Sequence, residues 1–193
     1  GGVMRLENLI REIDEEMYKK IMDNRTVEQE EAERTAQTVG LAAIKYGDLS
    51  NQASKDYVFD VDRFTSFEGN TGPYILYTIV RIKSILNKYQ ENGGSLVGLK
   101  VRPAENEYEK ALMLQVLKFN DVFEAVYEET APHKLCAYIY ELANEFNKFY
   151  HETKILSEED EEKKSGYIAL LTLSKRVLEA CIDLLGFEAP ERM

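Results

Sequence analysis

Apolar residues recur every three or four positions over most of the chain, which is the spacing of one face of an α-helix. The first such stripe consists of Leu6, Leu9, Ile10, Ile13, Met17 and Ile21. Charged residues fill the positions between them, so we predict an amphipathic helix over the first 22 residues. A second helix is predicted from an N-cap at Thr26 to about Tyr46, where Gly47 should end it.

Thr71 is predicted to cap a further helix, which has Pro73 in its first turn and ends near Asn92. The same period predicts three more helices, over residues 106–129, 133–151 and 160–186. Residues 50–73 have no helical period, and we predict an ordered connector there with at most a short strand. The predicted fold class is therefore all-α, with a boundary at the Gly69–Pro73 hinge that divides the chain into segments 1–70 and 71–193.

Composition fits a folded chain with an uneven charge. Of 193 residues, 44% are hydrophobic, which suffices for a core, but no apolar run approaches the length of a membrane span. Two cysteines inside helical patterns are typical of buried thiols in a reducing compartment, which predicts a cytoplasmic protein. The net charge of −11 argues against a broad nucleic-acid surface.

One window, residues 71–103, departs from this acidity with a local charge of +4. It also contains Tyr74, Tyr77 and Tyr89, and cations interleaved with aromatic rings suit phosphate contacts and base stacking. A solvated helix face beside a tyrosine core stripe explains the same pattern. Charge alone slightly favours this second interpretation.

Catalytic chemistry has little support in the sequence. His133 and Cys136 share a helix face but make only half of a metal site, and no third group is placed to activate the thiol. The acidic residues from Glu158 to Glu162 fit the solvated N-terminus of a helix better than a cation site. We therefore predict no catalytic residue and no metal ligand in this chain.

Several longer segments carry a family resemblance. The segments VGLAAIKYGDLSN (39–51), KDYVFDVDRF (55–64) and SFEGNTGPY (66–74) resemble the region of arginyl-tRNA synthetases that follows the class I signature loop. PHKLCAYIYELANEFNKFY (132–150) is similar to the central helix of their DALR anticodon-binding domain, and LLGFEAPERM (184–193) to their C-terminal end. Gly1-Gly2-Val3 resembles the glycines just downstream of a catalytic signature of the family.

This resemblance implies a C-terminal fragment of a class I arginine–tRNA ligase. Residues 1–70 would be the end of the catalytic and stem-contact region, and residues 71–193 the helical DALR bundle. The expected partners are tRNA(Arg) and the missing N-terminal catalytic domain, with no membrane and no DNA. The catalytic signatures of the family do not occur here. ATP with Mg²⁺ is therefore expected to serve only the full-length enzyme, and the fragment is expected to need no cofactor. The fragment alone should be inactive.

Ten residues are candidate tRNA contacts on the resemblance and the basic window together: Tyr46, Asn51, Asn70, Tyr74, Arg81, Lys83, Tyr138, Tyr150, Arg192 and Met193. A core position remains an alternative for both Tyr138 and Tyr150, and a helix-end cap for the tail. The rival function is a helical protein–protein interaction module without RNA binding, which an exposed apolar stripe on residues 6–21 would favour.

Overall fold

A computed structural model describes residues 4–24 and 28–193. The predicted N-cap at Thr26 and the segment Gly1–Val3 lie outside the described residues. The described part contains helices and no strand, which confirms the all-α prediction. Its helices are α1 (Leu6–Asn24), α2 (Gln29–Leu49), α3 (Val61–Phe64), α4 (Gly72–Glu91), α5 (Glu107–Leu117), α6 (Phe119–Glu129), α7 (Pro132–Glu152) and α8 (Glu161–Leu184).

A single apolar core runs through these helices. The stripe of α1 buries Ile13, Met17 and Ile21 against α2, as its spacing predicts. The same cluster continues into α4, α7 and α8, where Phe146 and Phe149 are fully buried. Because the core crosses the Gly69–Pro73 hinge without a gap, packing does not mark the division between segments 1–70 and 71–193, which stays a prediction.

Two predicted helix boundaries are wrong. Helix α2 continues through Gly47 to Leu49. Gly47 instead allows the ring of Phe64 to pack closely, since a Cβ there would lie 2.6 Å from that ring. The predicted helix over residues 106–129 is two helices with a break at Lys118. Phe123, on the second of these helices, is 40% exposed.

The connector after α2 holds a short helix in place of the suggested strand. Asp60 caps α3 by accepting a hydrogen bond from the Arg63 N–H at 3.1 Å. Thr71 then caps α4 by accepting from the Tyr74 N–H at 3.2 Å, which confirms the predicted start of that helix. These caps at the starts of α3 and α4 help to set the direction of α4 relative to α2.

Helix α8 begins where the acidic run predicts. The carboxylate of Asp160 accepts hydrogen bonds from the N–H groups of Glu162 and Lys163, so this run is a helix N-terminus. These bonds lower the pKa of Asp160 below its usual value. At the other end, Gly186 follows the C-cap residue Leu185 and takes a positive φ of 81°, a backbone conformation that commonly ends a helix. No helix in the described ranges is long and apolar enough to cross a membrane.

Candidate functional site

A cleft of about 710 Å³ opens between α4, the end of α7 and the C-terminal tail. Helix α4 contributes Tyr77, Arg81 and Lys88, α7 contributes Tyr150, and the tail contributes Met193. The cleft therefore gathers part of the basic window and one tyrosine that lies more than 60 positions further along the chain.

The guanidinium of Arg81 lies between two tyrosine rings. Its central carbon is 4.7 Å from the centroid of Tyr77 and 5.0 Å from that of Tyr150. Both rings remain 38% exposed. Such cation–π contacts hold a planar guanidinium while leaving its N–H edges available for other partners.

Asn147 on α7 connects Arg81 to the rest of the bundle. Its side-chain oxygen accepts a hydrogen bond from Arg81 Nη1. Its amide nitrogen donates to the hydroxyls of Tyr74 at 3.0 Å and of Thr78 at 3.2 Å. The Tyr74 hydroxyl in turn donates to Asn144 at 2.8 Å. Burial raises the pKa of Tyr74, so its hydroxyl stays protonated and able to donate.

Positive charge collects around this cleft. Lys88 and Lys154 line it and are exposed, and within the described part of the chain neither makes an ion pair. With Arg81 they outnumber the one acidic residue of the lining, Glu152. The cleft is thus locally cationic on a chain whose net charge is −11. Exposed aromatic rings beside cations provide the groups that bind a flexible single strand of nucleic acid.

The C-terminal tail is held on the bundle by two of the predicted contact residues. Lys83 is only 11% exposed and donates to Glu191 at 2.8 Å and to the carbonyl of Pro190 at 3.3 Å. Arg192 makes a two-pronged ion pair with Glu31 on α2, with N···O distances of 2.5 and 2.6 Å. We therefore correct the assignment of Lys83 as a direct RNA contact, because its charge is used within the chain, where it helps to place Met193 at the cleft. The side chain of Arg192 is 72% exposed in its ion pair, and its contact with RNA stays a prediction.

Two predicted aromatic contacts also need correction. Tyr46 is fully buried, and its hydroxyl lies 2.6 Å from Asn70 Oδ1 and 2.8 Å from the carbonyl oxygen of Cys136. Tyr138 is 4% exposed and donates to the carbonyl of Gln115 at 2.9 Å. Burial raises the pKa of both hydroxyls. Neither ring has a face open to a base, so both residues stabilise the core.

The remaining candidates have local roles that are compatible with contact. Asn51 donates to the carbonyl of Gly47 at 2.6 Å and closes the end of α2. Asn70 is exposed while it bonds Tyr46, and Tyr74 is half-buried in the Asn147 network. Contact of these three residues with RNA stays a prediction, and so does contact of Arg81, Tyr150 and Met193.

The groups considered for catalysis do not form a site. Cys136 is fully buried, and burial raises the pKa of its thiol to about 12, so it is not a nucleophile. In the ranges 4–24 and 28–193, no cluster of three His, Cys, Asp or Glu side chains could hold a metal ion.

Sequence reasoning missed His151 and Lys154, which line the cleft, and Asn147, which bonds the Arg81 of the lining. Asn147 lies 66 positions from the arginine it binds, and no local pattern marks such a pair. The only available signal was that residues 147–154 span the end of the helix predicted over residues 133–151.

Comparison with known proteins gives two family matches. Residues 75–193 match the DALR anticodon binding domain, and residues 1–61 match the class I (R) tRNA synthetase catalytic domain. Proteins named arginine–tRNA ligase from Agathobacter rectalis and Alkaliphilus oremlandii are 66% and 53% identical over the whole chain. The chain spans about a third of their length, 34% and 33% respectively.

Solved structures agree with these matches. The arginyl-tRNA synthetase of Thermus thermophilus superposes with a TM-score of 0.87 at 29% identity, covering 100% of this chain and 33% of that one. The arginyl-tRNA synthetase of Plasmodium falciparum gives a TM-score of 0.83 at 29% identity, covering 99% of this chain and 34% of that one.

Proposed function

Because the chain belongs to the family of DALR anticodon-binding domains, we propose that it is the tRNA-binding part of an arginine–tRNA ligase. The supporting observation is the cleft of Tyr77, Arg81, Lys88, Tyr150 and Met193, where cations and exposed rings converge on an otherwise acidic surface. A single-stranded anticodon loop fits this chemistry, since its unstacked bases need aromatic faces and its phosphates need cations.

The proposed mechanism is positional. The exposed parts of Tyr77 and Tyr150 stack on bases of the loop, while Lys88 and Lys154 contact its phosphates. Met193, which the tail bonds of Lys83 hold beside the cleft, gives an apolar contact that adapts to a base. Holding one end of the tRNA orients the acceptor end toward a catalytic domain.

The rest of the ligase reaction is assigned to a longer protein, in keeping with the third of the relatives' length that this chain spans. There, an N-terminal catalytic domain would bind arginine and ATP with Mg²⁺ and esterify tRNA(Arg). We place the enzyme in the cytoplasm, where buried and reduced thiols such as Cys136 and Cys181 are stable.

Binding of tRNA(Arg) transcripts tests this proposal. Fluorescence anisotropy of the 193-residue chain would be measured at two salt concentrations, with anticodon-substituted transcripts as competitors. We expect weak binding that falls with salt and is competed best by the unaltered anticodon. Equal competition by every transcript, or no binding at low salt, would refute anticodon recognition.

Helix α1 supports a second candidate, a protein–protein interaction module. Met4, Leu6 and Ile10 are 54%, 64% and 40% exposed, and Leu41 of α2 is 45% exposed. Where such residues form a contiguous patch, they favour contact with another protein surface. Unaltered self-association after Leu6→Asp and Ile10→Asp, measured by analytical ultracentrifugation, would argue against this role in a complex of identical chains.

A further inference from the structure

We propose that Asn147 is a positioning residue that holds the Arg81 guanidinium for a backbone phosphate of the bound RNA. The inference rests on the proposed tRNA-binding function and adds a residue to it. Its basis is the position of Asn147 at the only connection, among the described residues, between the arginine and the hydrogen-bonded interior of α4 and α7.

The geometry fixes the orientation of the Asn147 amide. Arginine has no acceptor atom, so the side-chain oxygen of Asn147 must face Arg81 Nη1. The amide nitrogen then faces Tyr74 and Thr78, whose hydroxyls accept at 3.0 and 3.2 Å. Thr78 is fully buried. These three hydrogen bonds restrict the Asn147 amide to one orientation. That orientation fixes the direction of the hydrogen bond to Arg81.

The two tyrosines complete the constraint. With Tyr77 at 4.7 Å and Tyr150 at 5.0 Å from its central carbon, the guanidinium of Arg81 is confined between rings. One N–H binds Asn147, and the remaining N–H groups have no hydrogen-bond partner within the described part of the chain. These groups lie in the cleft that Lys88 and Lys154 also line.

A phosphate is the ligand that this arrangement favours. Guanidinium N–H groups match phosphate oxygens in a two-pronged geometry, and the neighbouring lysines add charge without base specificity. A lone arginine on an exposed helix would lose side-chain entropy on binding, whereas a held guanidinium has lost most of it beforehand. Asn147 thereby increases the contribution of the Arg81 charge to the affinity for RNA.

A double-mutant cycle tests the proposal by measuring the affinity of tRNA(Arg) for four proteins: the unaltered chain, Asn147→Ala, Arg81→Ala and the double variant. We expect Asn147→Ala to weaken binding about tenfold, and to have almost no further effect in the Arg81→Ala background. Arg81→Ala should also reduce the magnitude of the slope of log affinity against log salt by about 0.7, the value for one phosphate contact with a single strand.

Asn144→Ala is the matched control, because Asn144 also lies on α7 and bonds Tyr74 but does not bond Arg81. Because it touches Arg81 only through Tyr74 and Asn147, it should leave the salt slope unchanged and weaken binding less than Asn147→Ala does. Arg81→Lys, which keeps the charge and leaves Asn147 intact, gives a second test if Asn147→Ala does not fold. A lysine lacks the planar fork, so we expect it to lose most of the affinity that Arg81→Ala loses.

The outcomes separate this proposal from the function on which it rests. Equal losses from Asn147→Ala with and without Arg81, or full affinity in Arg81→Lys, would overturn the positioning role while tRNA binding stands. An unchanged salt slope in Arg81→Ala would overturn the phosphate contact. Absence of tRNA binding by the unaltered chain would refute the proposed function, and the positioning role with it.

Discussion

Replacing Gly72 by alanine tests the close approach between α2 and α4. Gly72 is the first residue of α4 and lies on the backbone of α2. A Cβ at this position would be 2.6 Å from the carbonyl carbon of Ala42 and 2.9 Å from the nitrogen of Ala43. Ordinary contact begins at 3.4 Å, so the first of these distances is 0.8 Å too short. Since both atoms are helix backbone, they cannot move without displacing α2.

The size of the effect follows from this rigidity. Overpacking in a well-packed core costs about 1 to 3 kcal/mol, and an obstacle made of helix backbone belongs at the upper end. For a chain of this length, each kcal/mol lowers the midpoint of thermal unfolding by about 2 to 4 °C. We therefore expect Gly72→Ala to lower the midpoint by about 6 to 12 °C, measured by circular dichroism at 222 nm.

Gly69→Ala provides the matched control in the same hinge. Gly69 has a φ of 79° but nothing within 4 Å of a Cβ, so alanine there meets backbone strain alone. That strain costs about 1 kcal/mol, which corresponds to about 2 to 4 °C. If Gly72→Ala were no more destabilising than Gly69→Ala, the close contact of α2 with α4 would be refuted.

Three further predictions separate contact residues from structural ones. Tyr150→Ala should weaken tRNA binding by about 1 to 3 kcal/mol through lost stacking, whereas Tyr150→Phe should keep most of the affinity. Equal losses of tRNA affinity for the two variants in anisotropy titrations would contradict a stacking role. Tyr138→Phe should lower the free energy of unfolding in urea by about 1 kcal/mol, because the hydrogen bond from the tyrosine hydroxyl to the Gln115 carbonyl is lost. A change in tRNA affinity would contradict the core role of Tyr138. Arg192 lowers the pKa of Glu31 from its unfolded value of 4.5, so the stabilisation by this pair should be present above pH 4.5 and lost as the pH falls through the lower folded pKa. An equal urea midpoint for Arg192→Ala and the unaltered chain at pH 7 would refute it.

Helix positions were largely predictable because each depends on residues close in sequence. The apolar period located α1, α4, α7 and α8, and Thr71 marked the start of α4 through a bond to a residue three positions away. The local signal was misleading at Gly47, which lies inside α2 and packs against Phe64, 17 positions further along the chain.

Exposure of the candidate residues was less predictable. Tyr138 and Tyr150 lie on the same helix and have the same chemistry, yet one is 4% and the other 38% exposed. The difference comes from α5, whose carbonyl at Gln115 accepts the hydroxyl of Tyr138. A sequence pattern identifies an apolar face but not which aromatic residues at its edge find buried partners.

The roles of the charged residues likewise depend partly on the sequence and partly on the tertiary structure. The sequence by itself determined a helical chain, its membership in a recognisable family and a basic window at residues 71–103 within an acidic whole. Only the tertiary structure decided that Lys83 holds the tail, that Arg81 lies between two rings, and that Lys154 joins the same cleft. Local backbone and apolar preferences act over a few residues, whereas a binding cleft depends on which distant side chains share a hydrogen bond, a ring face or an ion pair.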